Sequence, residues 1–309
     1  MTTTHIDALA RSILDHHAAA FTPEGSDRSA LPPQPVPPAT RGEPAYLAAL
    51  QACAQLGFIA VDAECLACAW QAQTERNGHF DAAHWPDDGR DFGLIPADAA
   101  TPSAFAACPQ ALGLYAVLPD AQWVGRMARA GVPTVQLRFK SEDPVAIRQE
   151  VEAAVAAVQG TSALLLINDH WQAAIDARAY GVHVGQEDLD AMQGQNLDAI
   201  RAAGLRLGVS THGYAEMQRA QRVRPSYIAL GAVFPTTLKR MATAPQGVAR
   251  LAAYVRLMGQ YPLVAIGGIG AQQFPEVLAT GAGSIAVVRA LVTAQDPEAT
   301  AQQLMNFWR

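Results

Sequence analysis

The chain has 309 residues, of which 50% are hydrophobic, enough to bury a sizeable core in one large domain or two. Only 16% are charged and the net charge is −6, which excludes a general nucleic-acid binder living on neutralised phosphates. No run reaches the roughly 18 uncharged apolar residues of a membrane span, and charges and histidines interrupt the N-terminal MTTTHIDALARSILDHH where a signal core would be apolar, so a cytoplasmic protein is expected.

Residues 5–18 have the pattern of a short helix. The stretch after them, FTPEGSDRSALPPQPVPPATRGEP, is too rich in proline, glycine and serine to continue it and reads as a linker or extended arm. In AYLAALQACAQLGF, Leu47, Leu50, Ala54 and Leu56 recur near helical spacing, with Gly57 as the stop. A further helix is expected over 62–76, with Asp62 as N-cap and Asn77-Gly78 as its end. Two helices of this length bury little alone and need a neighbour to dock on. Cys65 and Cys68 form a CxxC, but without a second pair or a nearby pair of histidines they read as small buried side chains rather than metal ligands. The region from Gly78 to Pro109 is loop-like, with Trp85 and Phe92 as anchors.

After Pro109 short apolar runs alternate with alanine-rich helical stretches, the pattern of βαβ units around a parallel sheet. The strands read as GLYAVL from 113, TVQLRF from 134, ALLLIN from 163, GVHV from 181, LRLGVS from 205, YIALG from 227, LVAIGG from 263 and SIAVV from 284. Eight repeats in about 200 residues make an α/β chain with a TIM (β/α)8 barrel over 109–309. Residues 1–108 then form a mostly helical, partly irregular N-terminal extension. In such a barrel chemistry collects where each strand ends and its βα loop begins.

The second strand ends in VQLRFK, so Gln136, Arg138 and Lys140 share one side and Val135, Leu137 and Phe139 the other. Two cations at period two make a phosphate clamp. Asn168-Asp169 end the third strand, and Gln186, Glu187 and Asp188 follow the fourth. Asp169 and Asp188 can share a hard cation such as Mg²⁺, which is bound by one or two carboxylates plus substrate phosphates; taken singly, each can equally cap a helix. Ser210 suits a phosphate contact or a cap, and His212 beside it proves nothing alone. Thr236, Thr237 and Lys239 stand on a long loop after the sixth strand, and Gly267-Gly268 and Val288-Arg289 follow strands seven and eight, where this fold repeatedly holds phosphate. Two anion pockets imply phosphorylated small-molecule substrates, and no catalytic triad or activated cysteine is apparent.

The motifs VQLRFK, INDHW, GVHVGQEDL, GVSTH, IALGAVFPTTLK, VAIGGI and IAVV, in that order over residues 113–290, resemble thiamine phosphate synthase. The resemblance implies a transferase of thiamine biosynthesis that couples hydroxymethylpyrimidine diphosphate with thiazole phosphate and releases pyrophosphate by a dissociative route, with one Mg²⁺ per active site. It implies that Asp169 and Asp188 ligate the metal. It also assigns Gln136, Leu137, Arg138, Phe139, Lys140, Asn168, Ser210 and Lys239 to the pyrimidine diphosphate, with Arg138, Lys140, Lys239 and Ser210 catalytic. Thr236, Thr237, Leu238, Gly268, Val288 and Arg289 fall to the thiazole phosphate. Two positions depart from the family pattern: Leu238 stands where its PTxTK loop has a second threonine, and Arg289 where a serine is common. The segment LAALQACAQLGFIAVDAECLACAWQAQ is faintly similar to the C-terminal helices of hydroxymethylpyrimidine phosphate kinase, without any nucleotide loop. A homo-oligomer is compatible with all of this. The competing readings are a thiazole tautomerase on the same barrel and a catalytically silent ligand binder; Leu238 and Arg289 are the support for the second.

Overall fold

The computed structural model describes residues 3–21, 31–96, 99, 103–236 and 244–308. They divide into two compact units, one of Met1–Ala99 with Gly213–Arg222 and Ala242–Ala244, the other of Ala100–His212, Val223–Met241 and Pro245–Arg309.

The first unit contains helices α1 (Thr3–Phe21), α2 (Pro44–Gln55) and α3 (Ala60–Asn77). α1 runs past both ends of the predicted 5–18, and α3 stops at Gly78, whose φ of 76° is the left-handed conformation that glycine adopts without steric cost. Asp62 is not the N-cap of α3: Ile59 takes that position, and Asp62 lies inside the first turn, buried, accepting a hydrogen bond from the Ala215 N–H at 2.9 Å. The unit's core is aromatic. Trp70 and Trp85 meet edge to face at 5.3 Å, Phe92 stacks on Tyr214 at 5.4 Å, and the Trp85 indole N–H donates to Tyr214 Oη at 3.0 Å. Side chains of this size bury roughly 150–250 Å² each, so a few of them supply the apolar area that three short helices lack. Trp85 and Phe92 are therefore anchors, as their place in an otherwise loop-like stretch predicts.

In the second stretch of chain β1 (Gly113–Leu118) leads to α4 (Ala121–Arg129), β2 (Thr134–Leu137) to α5 (Pro144–Ala157), and β3 (Leu164–Asn168) to α6 (Trp171–Asp176). β4 (Gly181–Val184) leads to α7 (Gln186–Ala191) and α8 (Gly194–Ala202), β5 (Arg206–Thr211) to α9 (Tyr214–Gln221), and β6 (Tyr227–Leu230) to α10 (Gly247–Met258). β7 (Leu263–Ile266) leads through a 3₁₀ turn to α11 (Phe274–Leu278), and β8 (Ser284–Val287) to α12 (Arg289–Val292) and α13 (Pro297–Met305). All eight strands pair in parallel with their sequence neighbours, and β8 closes on β1 as a barrel. The strands are covered on both faces, which is why they read as continuous apolar runs.

Neighbouring strands are staggered. Val117 is level with Gln136, Leu166, Gly181 and Arg206, while Asn168 is level with His183, Gly208 and Tyr227. This stagger lifts the later strands stepwise, so that residues distant in sequence meet in the lumen. Tyr115, Val117, Leu166, Tyr227, Ala229, Val264 and Ala286 pack there as one cluster. The lumen is thus a filled core, and open space begins only above it, at the C-terminal ends of the strands.

Candidate active site

A cavity of about 740 Å³ opens at those C-terminal ends, within the range of a small-molecule site. Each side chain arrives there because its strand ends. β2 carries Gln136 inward, buried, and the backbone continues its ladder one residue further through Arg138 N–H to Leu118 O at 2.8 Å. Period-two alternation then presents Gln136, Arg138 and Lys140 to the cavity, while Leu137 and Phe139 face away and do not line it. Their share in the diphosphate site, implied by the resemblance, has no side-chain counterpart in the cavity wall.

At the end of β3 Asn168 and Asp169 line the cavity. Asp169 has φ 63°, uncommon for any residue but glycine and tolerated best by Asn and Asp. That kink turns its carboxylate toward Lys140, whose Nζ donates to Oδ2 at 3.0 Å. After β4, Asp188 Oδ2 accepts from the Gly185 N–H at 3.2 Å, at the start of α7, so Asp188 both braces a helix start and lines the cavity. Of the two alternatives open for this residue, the helix contact is the one seen directly. A hard divalent cation fits this donor set: two carboxylates line one cavity, and each has capacity beyond the hydrogen bond just described.

Ser210, on β5, does not cap a helix; it lies in the strand and lines the cavity, with its Oγ 2.8 Å from His183 Nε2. Beneath it, the Tyr227 and Tyr115 phenols are buried completely, and burial raises both pKa values far above the ordinary range, so both remain protonated. On the far side of the mouth stand Thr236, Gly268, Val288 and Arg289. Gly268 has φ 68°, and a Cβ there would lie 2.5 Å from Pro235 O, so only glycine lets the two loops approach this closely. Thr237, Leu238 and Lys239 lie outside the described residues.

Residues that the strand-end reading passed over also line the cavity: His183, Gln273 and Thr293. His183 had a signal, because the alternation starting at Gly181 puts it in the lumen. Gln273 and Thr293 had none; they belong to a 3₁₀ turn and to the end of a short helix whose positions depend on the closed barrel. The mouth as built has a cationic and acidic side from β2–β4 and a side of hydroxyl and backbone groups from β6–β8. Cations, hydroxyls and backbone donors around one mouth are groups that suit anionic ligands.

Residues 114–291 match the family model described as thiamine monophosphate synthase. The thiamine-phosphate synthase of Neisseria meningitidis serogroup B is 53% identical over 197 residues, covering 64% of this chain and 95% of that protein. The thiamine-phosphate synthase of Cronobacter sakazakii is 53% identical over 203 residues, 66% of this chain and 95% of its own. Among solved structures, thiamine phosphate pyrophosphorylase from Pyrococcus furiosus superposes with a TM-score of 0.56 at 27% identity, over 63% of this chain and 95% of that one.

Proposed function

The chain belongs to the thiamine monophosphate synthase family, and from that premise we propose how its cavity performs a thiamine-phosphate synthase reaction. Joining a pyrimidine diphosphate to a thiazole phosphate with loss of pyrophosphate is the transfer that defines the activity. The observation that carries the reading is the convergence of Arg138, Lys140, Asp169, Asp188 and Ser210 from four strands on one cavity.

In this reading Gln136, Arg138, Lys140, Asn168 and Ser210 hold the pyrimidine diphosphate, joined by Lys239. Thr236, Gly268 and the Val288-Arg289 backbone hold the thiazole phosphate, joined by the Thr237-Leu238 loop. Asp169 and Asp188 would hold one Mg²⁺, which when bound adds positive charge beside the leaving diphosphate. The chain's own part is electrostatic. Arg138 and Lys140 stabilise the negative charge that grows as the carbon–oxygen bond to the diphosphate breaks, and the electron pair leaves with pyrophosphate. The thiazole nitrogen then attacks the pyrimidine-methyl cation, and the second phosphate pocket sets its orientation and distance. A proton-transfer barrel handling the thiazole alone would have no use for this set of cations and carboxylates.

Residues 109–309 are read as the catalytic domain and 1–108 as an extension outside the chemistry, a remnant of a fused kinase-like segment. Work in the cytoplasm on small phosphorylated molecules, as a single chain or a homo-oligomer, accords with the charge balance and with the absence, among the described residues, of a helix long and apolar enough to cross a membrane. The test is turnover of both substrates with Mg²⁺ by the full chain and by a chain beginning at Pro109. Thiamine phosphate from the full chain supports the reading, and equal rates from both make the extension dispensable. Binding of both substrates without product would overturn it in favour of a silent binder.

A further inference from the structure

Four polar groups form an unbroken line through the barrel lumen. Tyr115 Oη lies 2.8 Å from Tyr227 Oη, Tyr227 Oη 2.8 Å from His183 Nδ1, and His183 Nε2 2.8 Å from Ser210 Oγ. Strand register makes the line possible. Gly208 sits between its neighbours His183 and Tyr227, and having no side chain it lets the phenol cross its strand to reach the imidazole. The two tyrosines and the histidine are buried, whereas Ser210 is half-buried and lines the cavity. His183 reaches the cavity wall as well, but Ser210 is the member of the line that presents a hydroxyl there.

Proton counting leaves two orderly arrangements. Each phenol and the serine have one O–H, and a neutral imidazole has one N–H and one bare nitrogen. Either every proton points toward the cavity or every proton points away. In the first, Tyr115 donates to Tyr227, Tyr227 to Nδ1, and Nε2–H to Ser210 Oγ, which leaves the serine O–H free to be donated into the cavity. In the second, Ser210 spends its O–H on Nε2 and offers the cavity lone pairs alone. Phosphate oxygens accept and do not donate, so the second arrangement repels the ligand that the first attracts.

We infer that Tyr115, Tyr227 and His183 are positioning residues that fix the direction of this proton line, so that Ser210 meets a phosphate oxygen of the diphosphate substrate as a donor. The inference rests on the reading of Ser210 as a diphosphate contact. Its second consequence is a defined imidazole tautomer, with Nε2 protonated and Nδ1 bare, which exists with or without substrate.

The test uses the full chain with ¹⁵N-labelled histidine at about pH 8, above the ordinary histidine range, with His183→Gln identifying the His183 signals. A pyridine-like Nδ1 and a pyrrole-like Nε2 are expected, with Tyr227→Phe weakening or reversing the pattern; a protonated Nδ1 in the unmodified chain overturns the inference. In turnover, Tyr227→Phe and Ser210→Ala should each lower kcat/KM by about 10-fold or more, the size of a lost hydrogen bond to a charged group, and the pair together should lose no more than Ser210→Ala alone. Losses that multiply would overturn it, because Tyr227 would then act by another route. Tyr115→Phe, which keeps every other member in place, should show the same dependence on Ser210. A chain that displays the expected nitrogen pattern but forms no thiamine phosphate supports the proton line and sinks the substrate reading, so the two fail separately.

Discussion

Gly208→Ala tests the lumen architecture with a single methyl group. A Cβ at 208 would lie 2.0 Å from Tyr227 Cζ and 2.3 Å from both Cε1 and Oη, against about 3.5–4.0 Å for comfortable carbon contact. The obstacle is the body of a rigid ring in a filled lumen, so shifts of a few tenths of an ångström do not relieve it. The phenol must swing away, and its hydrogen bonds to Tyr115 and His183 break. Overpacking costs about 1–3 kcal/mol, and leaving a buried partner unsatisfied costs about another 1–3 kcal/mol, so a loss of roughly 2–6 kcal/mol is expected. At about 2–4 °C per kcal/mol for a domain of this size, that is a fall in Tm of about 4–24 °C. Thermal unfolding followed by circular dichroism reads it, with Gly208→Ala/Tyr227→Ala as the control. Truncating the ring makes room for the methyl, so the double variant should be no less stable than Tyr227→Ala alone. A Gly208→Ala protein within about 0.5 kcal/mol of the parent, or a double variant showing the sum of both losses, would refute the account of why β5 carries a glycine at that level.

Asp188→Asn should raise the Mg²⁺ concentration needed for half-maximal rate at least about 10-fold, as loss of a charged oxygen ligand does; an unchanged Mg²⁺ titration removes Asp188 from the metal site. Arg289→Ser should raise the KM for thiazole phosphate by about 10-fold or more, the scale of a lost charge-assisted hydrogen bond, and that for the diphosphate much less. The expectation is that the Arg289 guanidinium supplies the donor lost where Leu238 replaces a threonine, and an unchanged thiazole KM would refute it. In the first unit, burial, aided by Asp62 and Cys68, pushes the Cys65 thiol from the ordinary 9 up to about 12. The unfolded thiol ionises near its ordinary value while the folded one stays protonated, so stability is complete below pH 9 and declines as pH rises toward 12. Tm measured across that window should fall less steeply for Cys65→Ala than for the parent, and parallel curves would contradict the assignment.

Much of the barrel can be read from local pattern because a strand covered on both faces must be apolar along its length. β1 and β4 occupy the residues that the runs GLYAVL and GVHV mark out. Strand ends were also legible. There a polar side chain after an apolar run needs water or a ligand, which is why Arg138, Lys140, Asn168, Asp169, Asp188 and Ser210 stand out in sequence and line one cavity in space. Helix α6 had no such signal: Trp171–Asp176 is under two turns, too short to show a period.

Asp62 shows where local reasoning ends. Its place at the head of a helical run fits an N-cap, yet its carboxylate accepts from the N–H of Ala215, 153 residues away. His183 is the same lesson inside the barrel, since its partners lie 27 and 44 residues along the chain, at Ser210 and Tyr227. The amino-acid order by itself determined the eightfold alternation, the apolar walls and the polar residue at each strand tip, because these follow from periodicities of 2 and 3.6 and from what burial permits. Only closure of the barrel decided which tips share a cavity, which phenol crosses which glycine, and which way a serine hydroxyl can point. Those outcomes depend on the stagger between strands, a property of the whole ring that no single strand encodes.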